Sequence, residues 1–247
     1  MSLSALALCG LGLLAPAWGA GPRVAVVIDD MGLNYPKTPA DAEWMAIDWP
    51  ITFAVMPESP RTKAAAREVK AAGHELIIHF PIDPFLFGKA YEFPKAAARP
   101  QDVEKVRRLL EKSCRDIPGA AGLNNHQSFK ATKNRPLMDA LMKELKPKGL
   151  YFLDSRVSPK TVAWEAARGA GLRSVVNNVF LEEPGHYNDR AWCVRILRRA
   201  AALARKRGSA VAIGHHYFRG TLDCLKGEVP RLRAEGVEFV FASALAR

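Results

Sequence analysis

Short runs of apolar residues alternate with longer amphipathic stretches from residue 23 to residue 241. This alternation predicts parallel strands joined by crossover helices, because each helix must bury one apolar face on the sheet. The predicted strands are 23–28, 51–56, 75–78, 120–124, 150–153, 173–176, 210–213 and 237–241. Predicted helices include 60–72, 100–114, 135–145, 189–207 and 222–234. Glycines that can adopt left-handed caps follow several of them, as at Gly73 and Gly208.

About eight strand units in a chain of 247 residues fit one domain, which we place at 21–247. The expected fold is α/β, a deformed (β/α) barrel of seven or eight strands. An open, doubly wound sheet is the alternative. Both folds gather ligands at the carboxyl ends of their strands, so the expected location of the site is the same.

The segment 1–20 differs from the rest of the chain. Its apolar run, 3–15, is followed by small residues, the pattern of a secretory signal peptide too short to anchor a protein stably in a bilayer. No Lys or Arg precedes the run, which leaves an uncleaved leader as the alternative. We expect an exported, periplasmic protein whose mature chain is not inserted in the membrane.

Composition narrows the function classes. Apolar residues make up 49% and charged residues 25%, as in a soluble globular protein. The net charge of +11 favours acidic partners, but much of it lies in 190–207 at helical spacing, typical of a solvated helix face. That segment lacks the interleaving of aromatic and basic residues typical of a nucleic-acid groove, so no nucleic-acid partner is expected. Beyond the leader, Cys114, Cys193 and Cys224 lack CxxC spacing, which indicates neither a disulfide framework nor a cysteine zinc site.

Polar residues occur where the apolar strands stop, a repetition that packing alone does not explain. They are Asp29-Asp30, Pro57-Glu58, His79, Asn125-His126, Asp154-Ser155-Arg156, Asn177-Asn178, His215-His216 and Ser243. Parallel strands bring such residues to one edge. The proline-rich segment 81–100 is expected to form a long loop over this edge.

Five of these residues are candidate metal ligands or acid–base groups. Asp29 and Asp30 are adjacent at a strand end, so their side chains should diverge. One could bind a divalent ion while the other acts as a base, and a helix cap or turn is the structural alternative. His79 and His126, with one Asp, complete a ligand set that leaves a coordination position open for water. His215 suits a general acid.

Five motifs that contain these residues occur in a fixed order. They are Ile28-Asp29-Asp30-Met31-Gly32, Gly73-His74-Glu75-Leu76-Ile77-Ile78-His79-Phe80-Pro81, Gly122-Leu123-Asn124-Asn125-His126, Phe152-Leu153-Asp154-Ser155-Arg156 and Ile213-Gly214-His215. Together they resemble the divergent polysaccharide deacetylase family over roughly residues 23–243. The resemblance implies a deformed barrel related to the chitooligosaccharide and peptidoglycan deacetylases.

The resemblance also implies residue roles. Asp30, His79 and His126 would bind a divalent metal, expected to be zinc, although cobalt, nickel, manganese or iron accept the same ligands. Asp29 would be the catalytic base and His215 the acid.

Four more residues are assigned to the same site. Asp154 is a third catalytic candidate, placed either to orient His215 or to pair with Arg156. Asn125, Arg156 and Asp83 are expected to contact the substrate.

The expected reaction is hydrolysis of an acetyl group, N-acetyl in preference to O-acetyl, on an envelope glycan such as peptidoglycan. Several pocket loops depart from the family pattern: Gln127-Ser128-Phe129 replaces Met-Gly-Ser, Ile82-Asp83 replaces Met-Glu, Leu181-Glu182-Glu183 replaces Leu-Asp-Asn, and His216 replaces Pro. The alternative is therefore a catalytically inactive member of the same fold that binds a glycan or a protein.

Overall fold

One parallel sheet contains all nine strands in residues 21–35, 38–83 and 100–247, the parts of the chain that the computed structural model describes. The strands are β1 Arg23–Met31, β2 Thr52–Val55, β3 Glu75–Pro81, β4 Gly122–His126, β5 Tyr151–Asp154, β6 Ser174–Val176, β7 Val179–Phe180, β8 Ser209–His215 and β9 Glu238–Phe239. The α-helices are α1 Asp41–Met45, α2 Thr62–Ala71, α3 Pro100–Asp116, α4 Arg135–Leu145, α5 Ala163–Gly169, α6 Arg190–Arg207 and α7 Arg219–Ala234.

The sheet curls on itself in the order β6-β5-β4-β3-β2-β1-β8-β7, with β9 pairing the start of β1. Its two faces bury separate apolar clusters. The larger cluster lies between the sheet and the helices, and the smaller fills the inside of the curl with residues such as Val27, Ile77, Leu153 and Ile213. An inner face that packs against itself distinguishes a barrel from a doubly wound sheet. The predicted deformed α/β barrel is therefore confirmed.

Helix α4 shows how local sequence produces an element of this fold. Asn134 caps its first turn by accepting a hydrogen bond from the backbone N–H of Leu137 at 3.0 Å. Leu137, Leu141 and Leu145 recur every four residues and are fully buried. A 3-10 turn, Lys146–Lys148, then ends at Gly149, whose φ of 68° is left-handed. The sequence pattern did not predict helix α1 or strand β7.

Every second residue of a strand faces the barrel interior. Along several strands these inward residues are apolar in the middle of the barrel and polar at the carboxyl end. Val27 belongs to the inner cluster and Asp29 follows two residues later. Ile77 precedes His79 in the same way, and Ile213 precedes His215. Since every second side chain of a strand shares one face, these polar groups all point into the mouth of the barrel.

The opposite end of the barrel is closed by a buried polar network. Glu75 Oε1 accepts hydrogen bonds from Thr52 Oγ1 at 2.7 Å, Tyr151 OH at 3.0 Å and the Ser243 backbone N–H at 3.2 Å. Glu75 and Thr52 begin their strands, so this network marks the amino ends. The expectation that Ser243 belongs to the strand-end site is therefore wrong, because β9 pairs only with the first residues of β1.

Cys193 on α6 and Cys224 on α7 form a disulfide, and Cys114 is a free thiol. Of the helices in the described ranges, none combines the length and apolar character of a membrane span. The expected leader, 1–20, and most of the expected loop, 84–99, lie outside the described residues.

Candidate functional site

Three potential ligand atoms meet at the mouth of the barrel: Asp30 Oδ1, His79 Nε2 and His126 Nδ1. The carboxylate oxygen lies 3.2 Å from the His79 nitrogen and 3.1 Å from the His126 nitrogen. The two nitrogens are 2.9 Å apart. Tetrahedral ligands at zinc bond lengths are about 3.3 Å from one another. The triangle is therefore close to the size of one face of a zinc coordination shell.

The surroundings of these atoms fit a cation. Asp30 Oδ1 is buried and has no hydrogen-bond partner of good geometry among the described residues. Three acceptor atoms this close repel one another unless positive charge lies between them. One proton can bridge only two of these acceptor atoms, whereas a divalent ion can bind all three at once. Two imidazole nitrogens and one carboxylate oxygen are also the donor types that zinc accepts.

Asn124 sets the orientation of the His79 ring. Its Nδ2 donates to Asp29 Oδ1 at 2.8 Å, so its Oδ1 faces His79 Nδ1, also at 2.8 Å. His79 Nδ1 must then carry the proton, which leaves the Nε2 lone pair pointing at Asp30 and His126. Sequence reasoning missed Asn124. The signal was present, because Asn124 lies two residues before His126 and so shares its face of β4.

A β-bulge brings both adjacent carboxylates into the site. The pairing of β1 with β2 shifts register between Ile28 and Met31, and Asp30 has a left-handed φ of 68°. As a result, Asp29 Oδ2 and Asp30 Oδ1 lie 3.6 Å and 3.2 Å from the same His79 Nε2. The expectation that the two side chains diverge is wrong, because it assumed a regular strand.

Burial and charge act differently on these carboxyl groups. Burial raises the pKa of Asp29 above its ordinary value, although His79 and His215 oppose the shift. Burial acts in the same direction on Asp30, but the adjacent His126 and His79 rings outweigh it and hold the pKa of Asp30 well below its usual range. Asp30 therefore stays ionised, as a ligand must, while Asp29 holds a proton more readily, as a base must.

His215 faces Asp29 from the neighbouring strand, its register partner in the pairing of β1 with β8. Glu182 holds this ring, with Oε2 3.0 Å from His215 Nδ1, and also accepts from Thr221 Oγ1. Burial lowers the pKa of His215, but the hydrogen bond and charge of Glu182 outweigh it and raise the value to about 9. The ring is thus charged at neutral pH, with Nε2 the nitrogen left to donate. Sequence reasoning noted Glu182 only as a departure from the family pattern.

Of the two partners expected for Asp154, the structure shows a contact with Arg156 and none with His215. Asp154 Oδ1 accepts from the Arg156 backbone N–H at 2.8 Å and its Oδ2 from Thr161 Oγ1 at 2.9 Å. The reason is the strand period: Leu153 faces the barrel interior, so the next residue faces outward. Glu182 takes the orienting position that was expected for Asp154.

The three residues expected to contact substrate have differing positions. Asn125 is buried and its Oδ1 accepts from the Ser155 backbone N–H at 2.9 Å. Asp83 accepts from the backbone N–H groups of Lys130 and Ala131, at 2.6 Å and 2.8 Å. Both side chains therefore anchor loops. Arg156 is exposed in a left-handed conformation with φ of 54°, free to reach a ligand.

Known proteins share the sequence pattern of this chain. A family model described as divergent polysaccharide deacetylase matches residues 26–246. The uncharacterized protein YibQ of Escherichia coli is 33% identical over 195 residues, which cover 78% of this chain but only 58% of the longer relative.

Two solved structures share the fold. An uncharacterized Agrobacterium tumefaciens protein, ATU2773, matches with a TM-score of 0.78 and 21% identity, covering 93% of this chain and 91% of its own. The peptidoglycan deacetylase PdaC of Bacillus subtilis matches with a TM-score of 0.52 and 12% identity, covering 91% of this chain and 90% of its own.

Proposed function

Because this chain belongs to the divergent polysaccharide deacetylase family, we propose that it hydrolyses N-acetyl groups on an envelope glycan at the Asp30, His79 and His126 site. The convergence of three ligand atoms within 3.2 Å of one another carries the proposal. Asp29 and His215 lie beside these three atoms on the paired strands β1 and β8, so residues from several separate motifs meet at one site.

We assign the metal site to zinc or a similar divalent ion. When bound, such an ion supplies a Lewis acid that polarises a carbonyl and makes water more acidic. Asp30 supplies negative charge to the site, and Asn124 keeps the His79 lone pair turned toward it.

The remaining residues move protons. Asp29 Oδ1 is held by Asn124, so Oδ2 is the atom that takes a proton from the attacking water. A carbon–oxygen bond forms and the amide carbon–nitrogen bond breaks. His215 Nε2 then protonates the departing amine, giving acetate and a free amino sugar. Glu182 keeps His215 charged for this step.

An envelope location is part of the proposal. Disulfides persist in oxidising compartments, and Cys193–Cys224 is one. The apolar segment 3–15 has the composition of an export signal. The fold is shared with a peptidoglycan deacetylase, which supports a glycan of the cell envelope as the substrate.

Acetate release from N-acetylated chitooligosaccharides and peptidoglycan fragments tests the reaction. Asp29→Asn should retain zinc and lower kcat by about 10²- to 10⁴-fold, the usual contribution of a positioned base. His79→Ala should lose both zinc and activity. Asp154→Asn is the matched control, because that carboxylate faces away from the site and its loss should leave kcat nearly unchanged.

Acetate release that persists in Asp29→Asn and His79→Ala at the parent rate would contradict the mechanism.

A second function is favoured by the altered pocket loops, in particular Glu182-Glu183 in place of Asp-Asn. It is glycan or protein binding without turnover. Tight zinc binding with no acetate released from any acetylated substrate would favour this binding function over hydrolysis.

A further inference from the structure

A cleft of about 360 Å³ lies in the outer layer of helices, between α2 and the carboxyl end of α3. None of the residues that line it belongs to the candidate site at the barrel mouth. Four cationic side chains and one carboxylate face this cleft: Lys63, Arg67, Lys70, Arg115 and Asp116. Positive charges in the lining therefore outnumber negative charges by three. We call the space between these five side chains the basic cleft.

Ion pairs within the basic cleft neutralise only part of its charge. The Asp116 carboxylate lies 3.3 Å from Lys63 Nζ and 2.9 Å from Lys112 Nζ, so two lysines share one negative charge. Arg67 and Arg115 are exposed, and neither forms an ion pair with a carboxylate in the described parts of the chain. These two guanidinium groups, one from each helix, are therefore available to an anion from outside the protein.

The spacing of these cations is not explained by helix stability. Lys63, Arg67 and Lys70 lie on one face of α2 at intervals of four and three residues, and like charges at that spacing repel one another and destabilise a helix. Cations in the last turn of a helix offset its dipole, which accounts for Lys70 and Arg115. The dipole does not account for Lys63, in the first turn of α2, or for Arg67, in its middle. An anion bound between these groups would offset their repulsion.

Small residues form the rest of the lining and leave the cations accessible. Ala66 and Pro118 line the basic cleft, and Lys70 Nζ lies 3.5 Å from the Pro118 carbonyl oxygen. Gly119 has a left-handed φ of 81°, and a Cβ at that position would lie 2.6 Å from Lys70 Nζ. Glycine at position 119 therefore leaves room for the Lys70 ammonium group at the edge of the cleft.

We propose that the basic cleft binds a phosphate-bearing anion, with Arg67 and Arg115 as its principal contacts. The oxygens of a phosphate are arranged tetrahedrally, so two planar guanidinium groups from different helices can each form paired hydrogen bonds with it. A carboxylate, with two oxygens in one plane, matches one such group. Inorganic phosphate and the head group of an anionic phospholipid share the required chemistry. Binding at this cleft is independent of the proposed hydrolysis at the barrel mouth.

Titration of the full chain with inorganic phosphate, followed by amide NMR at physiological ionic strength, tests the site. Metal is first removed with a chelator, because phosphate would otherwise also bind a metal at the barrel mouth. Saturable shifts are expected at the amides of Ala66 and Gly119. Arg67→Gln combined with Arg115→Gln should weaken phosphate binding at least about 10-fold, since both changes remove hydrogen bonds from a charged donor.

Two further double variants separate recognition of phosphate from general charge. Arg67→Lys with Arg115→Lys keeps both charges but lacks the planar guanidinium groups, so its affinity should lie between those of the parent and the glutamine variant. Lys206→Gln with Arg207→Gln removes two exposed cations from the end of α6, outside the basic cleft. That change should leave phosphate affinity nearly unchanged, because salt screens distant surface charges.

Sedimentation with lipid vesicles distinguishes the two sources of phosphate. Binding to vesicles of equal parts phosphatidylglycerol and phosphatidylcholine that is lost in the Arg67 and Arg115 glutamine variant identifies a lipid head group. Phosphate binding at the cleft without such vesicle binding identifies a soluble phosphate or phosphate ester. The site is overturned if phosphate causes no saturable shift at the cleft and vesicle binding does not require the two arginines. An equal loss of affinity in the Lys206 and Arg207 variant also overturns it.

Discussion

Asp29 and Asp30 are chain neighbours whose environments give them different protonation behaviour. Asp30 sits between two imidazole rings, and Asp29 is buried beside an amide. Their pKa values are displaced in opposite directions, upward for Asp29 and downward for Asp30. Paired titratable groups that are separated in this way commonly divide into base and ligand. The assignment of Asp29 as base therefore has a physical reason besides its position in the family pattern.

Asn124 is the residue on which the first prediction depends. Asn124→Ala removes the acceptor that fixes the His79 ring and should weaken zinc binding about 10- to 100-fold. Competition with a chromophoric chelator measures the dissociation constant. Asn125→Ala is the matched control, since that side chain holds the Ser155 backbone instead and its loss should leave zinc affinity unchanged. Equal zinc affinity in Asn124→Ala and the parent would show that the ring is oriented by other contacts.

Glu182 carries a second prediction, which concerns pH. The folded pKa of His215, about 9, is raised above its ordinary value, so the charged pair stabilises the fold fully below about pH 6.5. That stabilisation is lost as the pH rises through about 9. Glu182→Gln removes the negative charge, so the pKa of His215 should fall from about 9, because burial is then opposed only by the more weakly acting Asp29 and Asp30. NMR titration of the ring in the metal-free protein measures this shift, and an unchanged midpoint would exclude Glu182 as its cause.

At the scale of elements, α6 accounts for much of the basic character of the chain. Arg198 pairs with buried Glu228 at 2.6 Å and with Glu235 at 3.2 Å. Arg205 also pairs with Glu235, at 2.9 Å, and Arg195 lies over the Trp192 ring. These contacts favour the interpretation of α6 as a packed and solvated helix over a nucleic-acid surface.

The link between α6 and α7 gives a third prediction. The Cys193–Cys224 disulfide closes a loop of 31 residues, for which chain entropy predicts a stabilisation of about 3–4 kcal/mol. Cys193→Ala should therefore lower the free energy of unfolding by roughly that amount, measured by urea denaturation. Reduction of the parent should have a similar effect. Cys114→Ala removes the free thiol and should change stability much less; equal losses in both variants would contradict a specific role for the disulfide.

At the scale of the whole molecule, the barrel concentrates its polar groups at one open end. The Glu75 network closes the other end, and apolar side chains such as Val27 and Ile77 fill the space between. The proposed metal ligands come from β1, β3 and β4, which the folded sheet brings together. Metal binding and global folding should therefore be thermodynamically linked.

This linkage gives a fourth prediction. Zinc at about 100 times its dissociation constant should stabilise the fold by ~2.7 kcal/mol. For a domain of this size that corresponds to a rise in Tm of about 5–10 °C. EDTA should reverse the rise, and His79→Ala should show none. Differential scanning calorimetry with and without zinc measures it, and an equal rise in His79→Ala would place the ion elsewhere.

The sequence by itself determined the order of most strands and helices, because hydrophobic period and glycine caps are local properties of the chain. It also located the site. Apolar strands that stop at polar residues place Asp30, His79 and His126 at one end of any parallel sheet. The boundaries were less accurate: β3 extends to Pro81, so His79 lies within the strand and not beyond it.

Only the tertiary structure decided which of the polar residues act together. The partners that define the site are distant in the chain: 95 residues separate Asn124 from Asp29, and 33 separate His215 from Glu182. The bulge that turns Asp30 into the site depends on pairing with β2, which no local pattern reveals. Hydropathy fixes which face of the sheet is buried, but hydrogen bonds between distant strands fix the direction of each polar atom.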